Sequence, residues 1–274
     1  EVCCSMGKVK RIERVAALTK ELVDHPYELY SFTDFCERFD VAKSTLSEDV
    51  QAIKNGLVAY DLGTIETLAG AAGGVRFIPY HSRASDSEFL KALAERMAEP
   101  ERILPGGMIY MNDLLLSPKI LMRLGEIMMN RNKGLAPEYI MTVETKGIPL
   151  ALFVARAYNV PLVMARRESR ITEGSAVSIN YVSGSTRRIQ TMSLPKRALP
   201  ADARVFIIDD FMKAGGTAKG LQELASEVGA VVVGTGFLIA TREPENKMVE
   251  DYFSLFVLNG IDDKTRKTDI RPNC

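Results

Sequence analysis

VFIIDDFMKAGGTAKG, residues 205–220, decides the fold. Four apolar residues, Val205–Ile208, have the unbroken burial of a strand in a parallel sheet. Asp209 and Asp210 follow at its carboxyl end, where open α/β sheets bind ligands. Two carboxylates at that place can accept hydrogen bonds from a vicinal diol. In Lys213, Ala214, Gly215, Gly216 and Thr217 the glycines let backbone N–H groups close around an anion, and the Thr hydroxyl adds a donor. The helix that follows turns its positive end toward the same anion. A sugar diol and a phosphate would lie side by side, which is the chemistry of a phosphorylated ribose. A nucleotide phosphate loop of the form G-x-x-x-x-G-K-[ST] is excluded, because that pattern does not occur in the chain.

Around this stretch, strand and helix patterns alternate. Tyr139–Val143, Pro161–Ala165, Arg204–Ile208 and Ala230–Ile239 read as buried strands, and Ile148–Tyr158 and Thr217–Val228 as crossover helices. A mainly parallel sheet with helices on both faces is the expected α/β architecture. Ahead of it, Ser85–Met97 and Asp113–Met129 read as helices, joined by a connector that Pro and Gly break, EPERILPGGMIY at 99–110. Met108, Tyr110 and Phe211 are the available walls for a ring bound next to the ribose.

The first 80 residues read differently. Lys8–Val23 carries Val9, Ile12, Val15, Leu18 and Leu22 at helical spacing, with Lys8, Lys10, Arg11 and Arg14 in its first turns, and Pro26 ends it. Thr33–Phe39 and Ser44–Leu57 follow as helices across a tight Asp40-Val41 turn. In the latter, Leu46, Val50, Ile53 and Leu57 form an inward stripe, and Thr45 and Glu48 have capping-box spacing. Thr64–Leu68 and Val75–Ile78 alternate as a hairpin around AGAAGG. Three helices and a hairpin predict a winged helix-turn-helix domain over 1–78, followed by the α/β domain over 79–274. The third helix would enter a major groove with Lys43, Ser44, Thr45 and Ser47 foremost. Lys8, Lys10, Arg11, Arg14 and Arg76 would meet phosphates, with Lys54 nearby.

Composition sets bounds on this reading. The chain of 274 residues is 46% apolar and 26% charged, with no apolar run of membrane-spanning length and no signal segment, so a cytoplasmic globular protein is expected. Net charge is zero, and residues 1–80 hold nine Lys and Arg against twelve Asp and Glu, so any DNA site must be a local patch. Cys3, Cys4, Cys36 and Cys274, with two histidines, lack metal-ligand spacing and read as free thiols.

The order of parts in 205–217 resembles the phosphoribosyl-pyrophosphate (PRPP) motif of the type I phosphoribosyltransferases. Glu144, Thr145, Lys146 and Gly147, between a strand and a helix, resemble that family's pyrophosphate loop, where a lysine and helix-start amides neutralise a diphosphate. The polar segment from Arg166 and Arg167 through Ser178–Tyr181 to the strand Arg187–Leu194 resembles the hood that closes over substrate in these folds. With the winged helix ahead, the succession ERILPGGMIY, ETKGIPLA, TEGSAVSINYVSGS and IIDDFMKAGGT is similar to the purine operon repressors of Gram-positive-type bacteria along nearly the whole chain.

The resemblance implies a homodimer that binds operator DNA upstream of purine genes and releases it when PRPP, as effector, fills the phosphoribosyltransferase-like domain. It implies no catalysis and no required cofactor. Mg²⁺ is an expected companion of the diphosphate, and guanosine tetraphosphate a competing ligand. The alternative is a catalytically active purine phosphoribosyltransferase, of xanthine or adenine type, with an appended regulatory domain. Against it stand Lys213 and Ala214, at loop positions where the enzymes commonly have small or neutral residues and Thr, and the lack of a polar set to read a base.

Overall fold

The computed structural model describes residues 9–70, 73–167, 174–182 and 188–273. These fall into two compact units that part between Ser82 and Arg83, with Arg156–Asn159 grouped with the first.

The first unit is α1 (Arg11–Asp24), β1 (Tyr30–Ser31), α2 (Phe32–Phe39), α3 (Lys43–Ala59), β2 (Thr64–Leu68) and β3 (Gly74–Ile78). Leu18 and Leu22 of α1, Phe35 of α2, and Leu46, Val50, Ile53 and Leu57 of α3 close one core with Ile65, Val75 and Phe77. The stripe read for α3 is its buried face; of the α1 stripe, Leu18 and Leu22 are buried and Val15 partly so, while Ile12 is exposed. Ser31 starts α2 by accepting the Asp34 N–H at 3.0 Å. Asp40, left-handed at φ 50°, ends α2 and makes the tight turn. The expected hairpin forms as β2–β3, with β3 starting one residue earlier at Gly74, and the two-residue β1 adds a third antiparallel strand against β3.

The start of α3 differs from expectation. Its N-cap is Ala42, so Thr45 sits inside the first turn and the predicted capping box is not formed. A reciprocal contact occurs instead at α1, where the Lys10 N–H donates to Glu13 Oε2 at 3.0 Å.

The second unit begins with α4 (Arg83–Met97), a 3₁₀ turn at Pro100–Arg102, the short hairpin β4 (Ile103–Leu104) and β5 (Met108–Ile109), α5 (Asn112–Leu115) and α6 (Pro118–Arg131). The single helix expected over Asp113–Met129 is two, because Pro118 cannot donate to a helix that arrives from its amino side but suits the first position of a new one.

The remainder is β6 (Tyr139–Val143), α7 (Gly147–Tyr158), β7 (Leu162–Ala165), β8 (Ala176–Val182), β9 (Ile189–Pro195), β10 (Arg204–Met212), α8 (Gly216–Glu227), β11 (Val231–Thr241), β12 (Tyr252–Asp262) and β13 (Lys267–Pro272). Six strands form one sheet in the order β13-β12-β11-β10-β6-β7, all parallel except β13. Val205, Phe206, Ile207 and Ile208 are all fully buried. Successive side chains of a strand point to opposite faces, so both faces of β10 are covered.

From β6 the chain runs outward to β7, and from β10 it runs the other way through β11 to β12. The strand order thus reverses between β6 and β10, which makes the gap at their carboxyl ends the topological switch point of the sheet.

Candidate functional site

The loops after β6 and along β10 meet at this switch point, because Val205, Phe206 and Ile207 pair in parallel with Tyr139, Ile140 and Met141. Asp209 is buried and accepts the Asp210 N–H on its own Oδ1 at 2.9 Å. Burial, and after it the neighbouring Asp210, pushes the Asp209 carboxyl well above the ordinary carboxylate range. Gly147 lies directly against it. A Cβ at Gly147 would come 2.4 Å from Asp209 Oδ1 and 2.7 Å from Thr142 Oγ1, so only glycine lets α7 begin there. Thr142 Oγ1 is buried without a hydrogen-bond partner.

Glu144, Thr145, Lys146 and Arg167 share a cavity of about 370 Å³ with Asp209, Asp210, Phe211 and Thr217. The Glu144–Thr145 peptide bond is cis. Glu144 is held by the other side of the loop: its Oε1 accepts the Arg167 N–H at 2.7 Å, and its Oε2 lies 3.7 Å from Arg166 Nη1. Glu144 therefore tethers the Arg166–Arg167 segment. Of the hood, Tyr181 is buried, and a Cβ on Gly220 of α8 would lie 3.0 Å from its ring, so β8 is anchored rather than loose. Arg187 lies outside the described residues.

A second cavity, of about 120 Å³, is lined by Lys213, Ala214, Gly215, Gly216 and Thr217 together with Asp209 and Phe211. Gly215 is the N-cap of α8 at φ 87°, a left-handed conformation that favours glycine. The strand was expected to end at Ile208, yet β10 runs on to Met212, so the acid pair sits within its last turns of pleat. Lys247 was not anticipated from the sequence. Its Nζ donates to the Lys213 carbonyl at 2.5 Å and to the Thr241 carbonyl at 2.7 Å. Burial draws its ammonium below the ordinary lysine range, with Glu243 opposing.

The third cavity, about 510 Å³, adjoins the others through Lys146, Asp210, Phe211 and Lys213. Gly106, Gly107, Met108, Ile109 and Met111 form one wall, and Ile239, Leu258 and Ile261 of β11 and β12 another. Met108 and Phe211 both line this cavity. Tyr110 does not line any of these three cavities. Its N–H donates to the Arg102 carbonyl at 2.8 Å and its carbonyl accepts Arg102 Nη1 at 3.1 Å, which ties it to the base of the hairpin. Thr241, Glu243 and Asn259 also face this cavity, so it holds polar groups that the sequence reading did not find.

Among the described residues no cluster of three or more Asp, Glu, His or Cys could hold a metal ion. Asp209 is buried beside Asp210 and Glu144 is engaged by Arg167.

On the first unit, Lys10, Lys43, Ser44 and Ser47 are exposed and Thr45 half-buried. Lys8 lies outside the described residues, as do Cys3, Cys4 and Cys274; Cys36 is a free thiol. Three of the expected phosphate contacts are ion-paired within the chain. Arg14 is 5% exposed, and its Nε donates to Asp49 Oδ2 at 2.5 Å, while Arg11 Nε donates to Oδ1 of the same carboxylate at 2.9 Å. A fully buried Asp49 needs such partners, and α1 supplies them to α3. Arg11 keeps most of its side chain in solvent; Arg14 does not. Arg76 is paired with Glu66 across the hairpin at 2.6 Å and stacks over Tyr27.

The sequence profile described as "Bacterial purine repressor, N-terminal" matches residues 10–79, and that described as "Phosphoribosyl transferase domain" matches residues 111–270. The "Purine biosynthesis transcriptional repressor PurR" of Bacillus subtilis is 45% identical over 96% of this chain and 93% of its own length. The chain belongs to the PurR family of purine biosynthesis transcriptional regulators. The family includes opposite signs of control. A Lactococcus lactis relative, "Purine biosynthesis transcriptional activator PurR", is 36% identical over 96% of this chain and 97% of its own length. The fold of the second unit recurs in adenine phosphoribosyltransferase from Thermoanaerobacter pseudethanolicus, with a TM-score of 0.52 at 19% identity over 61% of this chain and 98% of that one.

Proposed function

We propose that this chain represses purine synthesis genes by binding operator DNA through its first unit, as a homodimer in the cytoplasm. PRPP bound in the second unit would release that DNA, with no phosphoribosyl transfer. The observation that carries the effector assignment is the meeting, at one switch point, of the acid pair Asp209 and Asp210, the anion cradle of residues 213–217, and the Lys146 loop. The three subsites have the order of PRPP itself: a 5-phosphate, a ribose diol and a diphosphate. Asp210 would be the carboxylate available to an Mg²⁺ that accompanied the diphosphate. Guanosine tetraphosphate, a ribose with phosphates at two positions, competes for the same subsites. Repression is preferred to activation because the repressor relative shares the greater identity with this chain.

Absence of catalysis rests on Lys213, a cation at the mouth of the cradle that strengthens anion binding without assisting departure of a leaving group. The enzymatic reading is favoured by one observation, the Glu243 and Asn259 groups in the cavity beside Asp210, which can hydrogen-bond a purine. Calorimetric titration of PRPP, followed by product analysis with xanthine, adenine, guanine and hypoxanthine, separates the two. Binding without nucleotide formation is expected. Turnover with any base would transfer the chain to the enzyme class.

A further inference from the structure

The phosphate cradle is held from behind by a segment that lies outside the motif. Lys247 Nζ donates to the Lys213 carbonyl at 2.5 Å, and also to the Thr241 carbonyl at 2.7 Å and to Thr241 Oγ1 at 3.3 Å. The Thr241 hydroxyl lies 3.3 Å from the same Lys213 carbonyl but donates at shorter range, 2.6 Å, to the Glu243 carbonyl. One residue on, the Met248 N–H donates to the Ala214 carbonyl at 2.8 Å. A Cβ added to Gly215 would meet Val249 Cγ2 at 3.2 Å and Met248 N at 3.3 Å, so this backing is in close contact.

A trans peptide unit is planar, and its C=O and N–H point in opposite directions. The Lys213 carbonyl shares a unit with the Ala214 N–H, and the Ala214 carbonyl shares one with the Gly215 N–H. With both carbonyls drawn toward Lys247 and Met248, both amides face the opposite side, where residues 213–217 line their cavity. An ammonium is the appropriate group for this place, because it donates to three acceptors at once from a single point. A charged donor also holds a carbonyl more firmly than a neutral one.

We infer that Lys247 is a positioning residue for phosphate recognition: acting through the Lys213 carbonyl, it aims the Ala214 and Gly215 amides at the 5-phosphate of the bound ligand. This rests on the PRPP reading of the site, since that reading places the 5-phosphate in the cradle. Lys247 touches no ligand atom. Its effect is confined to ligands with a phosphate in this cradle and spares a diphosphate held at the Lys146 loop.

The test is calorimetric titration of the full chain and of Lys247→Met and Lys247→Arg with ribose 5-phosphate, inorganic pyrophosphate and PRPP. Lys247→Met is expected to bind ribose 5-phosphate about tenfold more weakly and pyrophosphate as the parent does, with Lys247→Arg restoring most of the loss. Equal weakening toward both ligands, or no change toward ribose 5-phosphate, would overturn the inference while PRPP binding by the parent left the function standing. A parent that bound none of the three would overturn both. One measurement needs no substitution: on adding ribose 5-phosphate to isotope-labelled parent, the Ala214 and Gly215 amide protons should move downfield. Resonances that stay in place would overturn the inference even if Lys247→Met failed to fold.

Discussion

Asp209 and Gly147 fix each other's identity, since the carboxyl occupies the space that a side chain at the start of α7 would need. Gly147→Ala should therefore cost about 1–3 kcal/mol of stability through overpacking and abolish PRPP binding, both measurable by thermal melts with and without ligand. The same carboxyl makes stability depend on pH. Because burial raises its folded-state value, its contribution is fully present below the unfolded-state pKa of about 4 and is lost as pH rises through the raised value. Asp209→Asn keeps the shape without the charge, so its Tm should gain on the parent as pH is raised; a difference that stays flat from about pH 4 to about pH 8 would contradict this. Arg14 shows where single-residue reading fails. From the sequence it is one of four cations in the first turns of a helix, and its burial comes from Asp49, thirty-five positions away on another helix. Arg14→Ala should lower the stability of the first unit by about 3 kcal/mol and change DNA affinity only through that loss. Lys247 was equally illegible, because a lone lysine after a Pro carries no sign of the carbonyls it will meet.

At the scale of elements, α1 to α3, the hairpin and the central parallel strands were all legible, since each carries its own period of apolar residues. The errors lie where tertiary pairing overrides local pattern. β10 extends through Asp209 and Asp210 because β11 pairs with it as far as Met212. β12 and β13 pair with each other along an edge of the sheet; a buried Ser254 interrupts the apolar run of β12, and β13 has polar residues around the buried Ile270. α3 starts one residue earlier than expected, at Lys43, because Ala42, rather than a hydroxyl residue, caps it. This shift strengthens the reading of α3 as the recognition helix, since Ser44 and Ser47 stay exposed in its first turns. Ser44→Ala or Ser47→Ala should relax preference at the touched base pair by about 1–3 kcal/mol. Lys43→Ala or Lys10→Ala should weaken all duplexes alike and reduce the slope of log K against log salt by about 1. Competition binding on single-substitution duplexes at several salt concentrations distinguishes the two classes. A uniform effect from the serines would remove α3 from the groove.

For the whole molecule, neutrality limits the mechanism. The first 80 residues carry more acid than base, and the structure further commits Arg14 and Arg76 to Asp49 and Glu66. Few cations per chain are left for phosphates, so the proposed homodimer would need both chains on one operator for its affinity. An effector that altered the relation between those two chains would then need only a modest differential affinity to release DNA. The most direct test is fluorescence anisotropy of a labelled duplex from upstream of a purine synthesis gene, at fixed salt, titrated with PRPP. The parent and an Asp209→Ala, Asp210→Ala double variant would be compared. The account predicts that both proteins bind the duplex equally tightly without PRPP, and that PRPP releases only the parent. Release of the double variant at the same PRPP concentration as the parent would contradict it.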